Sequence, residues 1–503
     1  WLHEWLYEGL HEGPHPACRS FSADPGAMPA SIVLFVMALA SLAGTSARAQ
    51  TFEPYTFEAE VTIPVEAERG EIMVPENRTD ANSRSIPIGF VRLASRAATP
   101  KAPIVYLAGG PGGSGTRAMR GTRWRMFDRL RDVADVIILD QRGTGFSDRV
   151  PRCRSSVQVP ADSATTRERY VRLHRKALAE CVDVWEAEGV DLRGYTTWES
   201  AADINAVRKA LGVDRVSLLG ISYGSHLALA TLKRYPNRID RLVLASPEGL
   251  DDTVKRPSRT DAYIERLQAA IDADSVSRSF YPDVRGLLKG VLDDVEANPP
   301  HLLVDDDPEF RRTLGRFELM RITGYSLSDP RGANSILEGY LDAAHGDYTW
   351  FQNYFDWVVR DNTIAFNGMA VAMDLASGIS PKRKAQVSAE AETALLGDAI
   401  NFPMPHLQDA LPDLDLGSAF REPVSSDRPA LLLTGTLDGR TYPEAHAEIA
   451  EGLSNGARVT IRNAGHNLFL SHPDVVPLIA DFFGGAAPKP RTLTAPLPRF
   501  APD

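Results

Sequence analysis

Val216-Ser217-Leu218-Leu219-Gly220-Ile221-Ser222-Tyr223-Gly224 sets an apolar run directly before a Gly-x-Ser-x-Gly turn, and a helix-like run from His226 to Arg234 follows it. Strand, sharp turn and helix in that order form the setting of a nucleophile elbow. The turn forces strained dihedrals on its central residue, so small residues stand two positions to either side and the serine hydroxyl is lifted above the sheet edge. Ser222 is therefore the candidate nucleophile. The competing reading is an ordinary Gly/Ser turn, and the strand before it and the helix after it count against that.

Outward from this turn, short apolar runs recur at Ile104 to Leu107, Val136 to Leu139, Leu242 to Ala245, Ala430 to Leu433 and Val459 to Ile461. Helical segments such as Ala201 to Leu211 and Ser225 to Arg234 separate them. Continuously apolar strands alternating with helices predict an α/β fold, a mostly parallel sheet covered on both faces. Phe57 to Pro64 and Ile86 to Leu93 alternate and predict antiparallel strands at the sheet edge. Between Ser246 and Arg428 the rhythm gives way to helical, Asp-rich and aromatic-rich sequence, which predicts a large inserted helical cap over the carboxyl edge of the sheet.

A chain of 503 residues, 43% hydrophobic and 24% charged, is globular in composition. Its net charge of -11, without a dense Lys/Arg stripe, argues against a nucleic-acid partner. Met28 opens a segment whose apolar run, Ile32 to Ala43, ends at Ala47-Arg48-Ala49 before Gln50, which matches a small-x-small cleavage rule. That run is too short to span a bilayer, so the expectation is export with cleavage near Ala49/Gln50, to the periplasm or outside the cell, and no stable membrane anchor. The alternative is a short buried or interfacial helix. The expected organisation is an upstream extension 1–27, a signal peptide 28–49, a first core part 50–248, the cap 249–425, a second core part 426–484 and a loosely held Pro-rich tail 485–503. Of three cysteines Cys18 precedes the cleavage point, leaving Cys153 and Cys181 as a candidate disulfide or as two unpaired small core residues.

A serine hydroxyl needs a histidine base and a carboxylate to orient that base. Asp438 follows the Ala430 to Leu433 run and His466 follows the Val459 to Ile461 run. The chain order Ser, Asp, His is the one used by α/β-hydrolases. His226 reads as a local packing or capping residue and His472, before Pro473, as a residue at a helix start. Acyl transfer also needs two backbone donors for the oxyanion. The Tyr223 N–H supplies one, and the glycine-rich loop Ala108-Gly109-Gly110-Pro111-Gly112-Gly113-Ser114-Gly115 supplies the other. A phosphate-binding reading of that loop lacks the Lys-Ser/Thr ending and the dinucleotide-binding spacing.

Gly109-Gly110-Pro111-Gly112-Gly113, Asp140-Gln141-Arg142-Gly143-Thr144-Gly145-Phe146-Ser147 and the Ser222 elbow together resemble the proline iminopeptidase and tripeptidyl aminopeptidase group of α/β-hydrolases. The resemblance covers most of residues 100–250 and 426–484. Tyr195-Thr196-Thr197, Ala201-Ala202-Asp203 and the placement of Cys153 and Cys181 resemble the exported tripeptidyl-type branch. It implies Gly110 and Tyr223 as the oxyanion donors and Arg142 as a charge bracing the glycine loop. Ala108 stands where proline iminopeptidases commonly carry His, so proline specificity is not implied.

The expected activity is that of a serine hydrolase without metal or organic cofactor, acting on a short peptide with a free amino terminus. A carboxylesterase acting on a small ester through the same three residues is the alternative, and a non-catalytic binding module is a third reading. An aminopeptidase must hold an ammonium group, for which Glu248, Glu318, Glu338 and Asp342 are the candidate carboxylates. Tyr340, Tyr348, Trp350, Phe351, Tyr354, Phe355 and Trp357 form an aromatic concentration that reads as the cap's own core, with an apolar substrate wall as the alternative.

Overall fold

Alternate residues of the central strands feed two different apolar cores, one on each face of a single sheet. Val105, Leu107, Ile137, Leu139 and Leu218 pack on one face, while Ile104, Tyr106, Val136, Ile138, Leu219 and Ile221 pack on the other. Period-two alternation with both faces covered is why these runs are apolar throughout. A computed structural model describes residues 52–59, 64–303, 311–358 and 362–502. The expected signal segment 28–49 and Cys18 lie outside the described residues.

The described strands are β1 (Phe52–Glu58), β2 (Pro64–Pro75), β3 (Ser85–Leu93), β4 (Ile104–Leu107), β5 (Val136–Leu139), β6 (Arg152–Gln158), β7 (Val216–Ile221), β8 (Ile239–Ala245), β9 (His301–Leu303), β10 (Arg311–Thr313), β11 (Thr363–Asn367), β12 (Ala430–Gly435), β13 (Gly456–Arg462) and β14 (Arg491–Thr494). Ten of them form the main sheet in the order β1-β2-β3-β5-β4-β7-β8-β12-β13-β14. β1, β2 and β3 run antiparallel at one end, and from β5 to β14 neighbouring strands are parallel.

Two expectations are corrected. The strand expected over 57–64 is not one strand, since Phe57 pairs with Val65 and Glu58 with Pro64 across antiparallel β1 and β2. Apolar alternation continues through both arms, so the sequence pattern does not mark the reversal. The tail is not loosely held either. β14 adds a parallel edge strand along β13, and Phe500 is fully buried with its N–H donating to Ser277 Oγ at 3.0 Å. Edge pairing uses main-chain groups, which the non-proline residues between Pro490 and Pro496 retain.

Between β8 and β12 the chain is mostly helical, with its own apolar core built on Tyr263, Leu288, Ile336, Tyr340, Phe351 and Phe355. The aromatic concentration therefore contributes to the cap's interior; the side chain of Trp357 lies outside the described residues. A second stretch joins this layer. β6, between β5 and β7, pairs antiparallel with β11, and a disulfide between Cys153 and Cys181 ties β6 to helix Arg167–Ala187.

Candidate active site

Ser222 ends β7 and begins helix Tyr223–Arg234 with φ 55° and ψ -128°, a conformation a non-glycine residue holds only when its surroundings dictate it. What dictates it is close approach: a Cβ on Gly224 would collide with the Leu107 carbonyl, and one on Gly220 with the backbone of Gly224. The strand end is fixed in turn by the Ser222 N–H, which donates to the Ala245 carbonyl of β8 at 3.0 Å. The next residue, Ser246, also has positive φ, and its hydroxyl donates to the carbonyl of His466 at 2.7 Å. Ser222 and His466 are thus tied to consecutive residues at the same carboxyl edge of the sheet.

Asp438 and His466 follow β12 and β13 and are both fully buried. The His466 Nδ1–H donates to Asp438 at 3.0 Å to Oδ1 and 3.1 Å to Oδ2, which leaves Nε2 as the acceptor nitrogen of the ring. Asp438 Oδ1 also accepts from the N–H groups of Arg440 at 2.8 Å and Thr441 at 2.9 Å. Burial acts to raise the Asp438 pKa, but the charge and hydrogen bond of His466 and these backbone donors outweigh it and hold the carboxyl well below the usual range. The residue stays ionised.

Sequence reasoning did not find Thr441, whose hydroxyl lies 3.0 Å from Asp438 Oδ2 and 3.0 Å from the Ser246 carbonyl. Behind it His446 bridges Thr441 and Thr434 at 3.2 and 3.1 Å. Burial, its largest perturbation, brings the His446 pKa down to about 4, so it is a neutral strut. The spacing Asp438-Gly439-Arg440-Thr441 was the available signal, because a turn Asp collects donors from the residues just after it.

The glycine loop lies over the elbow. A Cβ on Gly109 would stand 3.2 Å from Ser222 Cβ and 3.8 Å from its Oγ. Gly110 has φ 128°. Among the described residues neither the Gly110 N–H nor the Tyr223 N–H has an acceptor. The role expected for Arg142 is corrected. Its buried guanidinium binds Asp203 at 2.7 and 2.8 Å and the Glu76 carbonyl at 2.5 Å, away from the loop. Asp140 braces the loop instead, accepting from Ser114 Oγ at 2.8 Å, Thr116 Oγ1 at 2.6 Å and the Thr116 N–H at 3.1 Å, while Gln141 donates to the Ala108 carbonyl at 3.0 Å. A bidentate carboxylate can gather several donors of a turn, whereas a guanidinium must seek carbonyls and carboxylates.

The other two histidines lie as expected. His226 is buried between the Gly249 carbonyl and Ser377 Oγ, and His472 accepts from the Asp474 N–H beside helix Val475–Phe483.

The four candidate carboxylates separate. Glu248 is near the elbow, with its N–H on Ser225 Oγ at 2.8 Å, but its carboxylate is paired with buried Lys255. Glu318 is locked between Arg312 and the Tyr170 hydroxyl, the latter at 2.5 Å. Glu338 and Asp342 lie on helix Pro330–Ala343, whose first turn is at His466, and are roughly 14 and 20 Å further along its axis, where both act on Tyr281. The structure does not bring them to Ser222.

A further carboxylate, Asp374, was not among them. Helix Gly368–Ser377 starts over the glycine loop, where a Cβ on Gly112 would be 3.7 Å from Ala370 Cβ, and Asp374 lies one turn further along the same face. Its neighbour Met373 touches the Tyr223 hydroxyl at 2.8 Å. Among the described residues the partly buried Asp374 carboxylate has neither a hydrogen bond nor an ion pair. Burial first, and then the charge of Glu248, push its pKa up to about 7 against the pull of Arg440 and Lys255. A single acid in the apolar run Gly368 to Ser377 was the signal in the sequence.

Among the described residues no group of three or more His, Cys, Asp and Glu could hold a metal ion, and no helix is long and apolar enough to cross a membrane.

The family described as alpha/beta hydrolase fold matches residues 102–473. A tripeptidyl aminopeptidase of Streptomyces coelicolor is 27% identical over 233 residues, 45% of this chain and 41% of that protein. A proline iminopeptidase of Neisseria gonorrhoeae is 31% identical over 181 residues, 36% of this chain and 40% of that protein. The match thus spans about two fifths of each relative's length. A proline iminopeptidase-related protein of Thermus thermophilus aligns in structure with a TM-score of 0.38 and 17% identity, over 84% of this chain and 96% of that one. Elbow, glycine loop and the loops after β12 and β13 all fall inside the matched stretch, and this chain belongs to the α/β hydrolase fold family.

Proposed function

We propose that this protein is an exported serine aminopeptidase that releases short N-terminal units from peptides. The observation that carries the reading is the fully buried Asp438–His466 pair at 3.0 Å, set on the same sheet edge as a serine held at φ 55°. Ser222 Oγ attacks the scissile carbonyl while His466 Nε2 takes its proton, and ionised Asp438 stabilises the imidazolium that forms. The Gly110 and Tyr223 N–H groups receive the negative charge on the carbonyl oxygen. Collapse breaks the C–N bond, the leaving amine takes the proton from His466, and water then releases the acyl group from Ser222 by the reverse sequence.

Preference for a free amino terminus is supported by two findings. Two relatives are named tripeptidyl aminopeptidase and proline iminopeptidase, and Asp374, a carboxylate without a hydrogen bond or ion pair among the described residues, lies on the helix that starts over the glycine loop, next to Met373, which touches Tyr223. It takes the ammonium-binding role first assigned to Glu248, Glu318, Glu338 or Asp342. Export is supported by the Met28 to Ala49 segment and by the Cys153–Cys181 disulfide, a bond suited to oxidising compartments.

The test is hydrolysis of matched nitroanilides with free and blocked amino termini, beside a short-chain nitrophenyl ester, by the wild type and Ser222→Ala. Cleavage of free-amino substrates well ahead of slow but measurable cleavage of blocked ones, both lost by about 10⁴-fold or more in Ser222→Ala, is expected. Cleavage of the ester alone would make the protein a carboxylesterase. Absence of Ser222-dependent fluorophosphonate labelling would leave a non-catalytic module.

A further inference from the structure

The cap turn Leu327-Ser328-Asp329, between helices Arg316–Ser326 and Pro330–Ala343, is wedged between the loops that carry Asp438 and His466. Next to Asp438, the Gly439 N–H donates to the Ser328 carbonyl at 3.3 Å, and a Cβ there would collide with the Leu327 carbonyl. Just before His466, a Cβ on Gly465 would fall 2.5 Å from Pro330 Cδ and 2.8 Å from Asp329 Cα. Contact this close on both sides leaves the two loops little freedom to move independently of the cap.

Asp329 stands where an N-cap is expected, before a proline that begins a helix, yet its side chain makes no bond to that helix. Proline restricts the preceding residue to extended backbone, here φ -134° and ψ 154°. The carboxylate turns to the other loop. Its Oδ1 accepts from the Asn467 N–H at 3.3 Å, and the carboxylate also accepts from the N–H of His466. Oδ2 is buried without a hydrogen-bond partner among the described residues. Leaving such an oxygen unmatched costs free energy, which ordinary helix capping would have avoided.

We propose that Asp329 is a positioning residue for His466: a carboxylate of the cap that holds the backbone of the base and sets a second negative charge beside its imidazole. The inference rests on the Ser222, His466 and Asp438 reading above. The charged and titratable groups around the ring come from three other elements. Asp438 faces it from the acid loop, and His446, neutral, from helix Pro443–Glu451. Helix Pro257–Asp272 presents Tyr263, kept protonated by burial and by the charges of Asp329 and Asp438, with Arg266 acting on Tyr263 from the same helix. Burial raises the Asp329 pKa, the His466 charge lowers it and Asp438 raises it again, to about 6. Once the proton of Ser222 has moved to His466, the imidazolium faces two anions instead of one.

Proton NMR of the downfield His466 Nδ1–H, assigned by its loss in His466→Ala, tests this together with kcat and KM on the best nitroanilide. Asp329→Asn keeps an acceptor and removes the charge, whereas Asp329→Ala removes both. Removing a nearby anion disfavours the imidazolium, so the His466 titration moves to lower pH in both variants. In parallel kcat falls about tenfold in Asp329→Asn and about a hundredfold in Asp329→Ala, with KM changed by less than about twofold. An unmoved His466 titration, or an unchanged kcat in protein whose Ser222 is active, overturns the proposal. If Asp329→Ala does not fold, the near-isosteric Asp329→Asn carries the test. Should the wild type not label at Ser222, the functional reading fails, while the titration still decides whether Asp329 acts on His466.

Discussion

Asp438 and Glu318 are both buried carboxylates, 0% and 5% exposed, and both have a basic partner, yet one belongs to the candidate active site and the other to the cap's framework. The partner makes the difference. Glu318 is held by Arg312, which cannot lose its proton, and by the Tyr170 hydroxyl, which burial keeps protonated. Nothing in that cluster can exchange a proton near neutrality. Asp438 is held by an imidazole whose second nitrogen can accept one, and by backbone N–H groups that fix the carboxylate without competing for the proton. A buried carboxylate is therefore informative about function only through the proton inventory of its basic partner.

The largest effect that separates the two carboxylates is on turnover. Asp438→Asn preserves shape but favours the wrong imidazole tautomer, so kcat falls about 10³- to 10⁴-fold. Circular dichroism of the variant should remain native, because the amide oxygen can still accept from Arg440 and Thr441. A loss under about tenfold would mean that His466 does not depend on Asp438 for its orientation.

Next in size is a stability effect. Glu318→Ala leaves Arg312 buried without its counter-charge, and removing one partner of such a pair costs about 3 kcal/mol or more. The expected outcome is a lower midpoint in urea with kcat of the folded protein unchanged within about twofold. A matching fall in kcat would bring Glu318 into the catalytic apparatus and dissolve the contrast with Asp438.

Sequence alone separates these two residues only in part. Asp438 and His466 are legible because each follows an apolar strand in a short glycine-bearing loop, and Ser222 because strain at an elbow demands Gly220 and Gly224 around it. Local sterics write themselves into local sequence. Glu318 gave no such mark, since Arg312 is near in sequence but Tyr170 comes from a helix far upstream. Asp374 and Asp329 were missed for the same reason: their meaning depends on which loop the cap lays them against. The pairing of β6 with β11 and the edge strand β14 were equally illegible, because main-chain pairing leaves little trace in side-chain pattern.

Asp374 completes the comparison as a carboxylate without a paired cation among the described residues, and its predicted effects are the smallest. Asp374→Asn should raise KM for free-amino nitroanilides about tenfold, the worth of one charge-assisted hydrogen bond, and leave blocked substrates unaffected. The ratio of kcat/KM for free over blocked substrates cancels the titration of His466 and isolates the ammonium site. With a pKa of about 7, Asp374 loses its charge as the pH falls, so this ratio declines below about pH 7 in the wild type. It declines again above about pH 8 as the substrate amine deprotonates. In Asp374→Asn the lower limb disappears. Stability moves the opposite way. A carboxyl with a raised pKa binds more protons folded than unfolded, so the wild type loses stability as pH rises from about 4 to 7, and Asp374→Asn removes that loss. A variant that is more stable at pH 8 but poorer at holding free amines would identify Asp374 as a site charge kept at the expense of the fold. A wild-type ratio that lacks the lower limb would instead place the ammonium elsewhere and leave Asp374 as a protonated packing group.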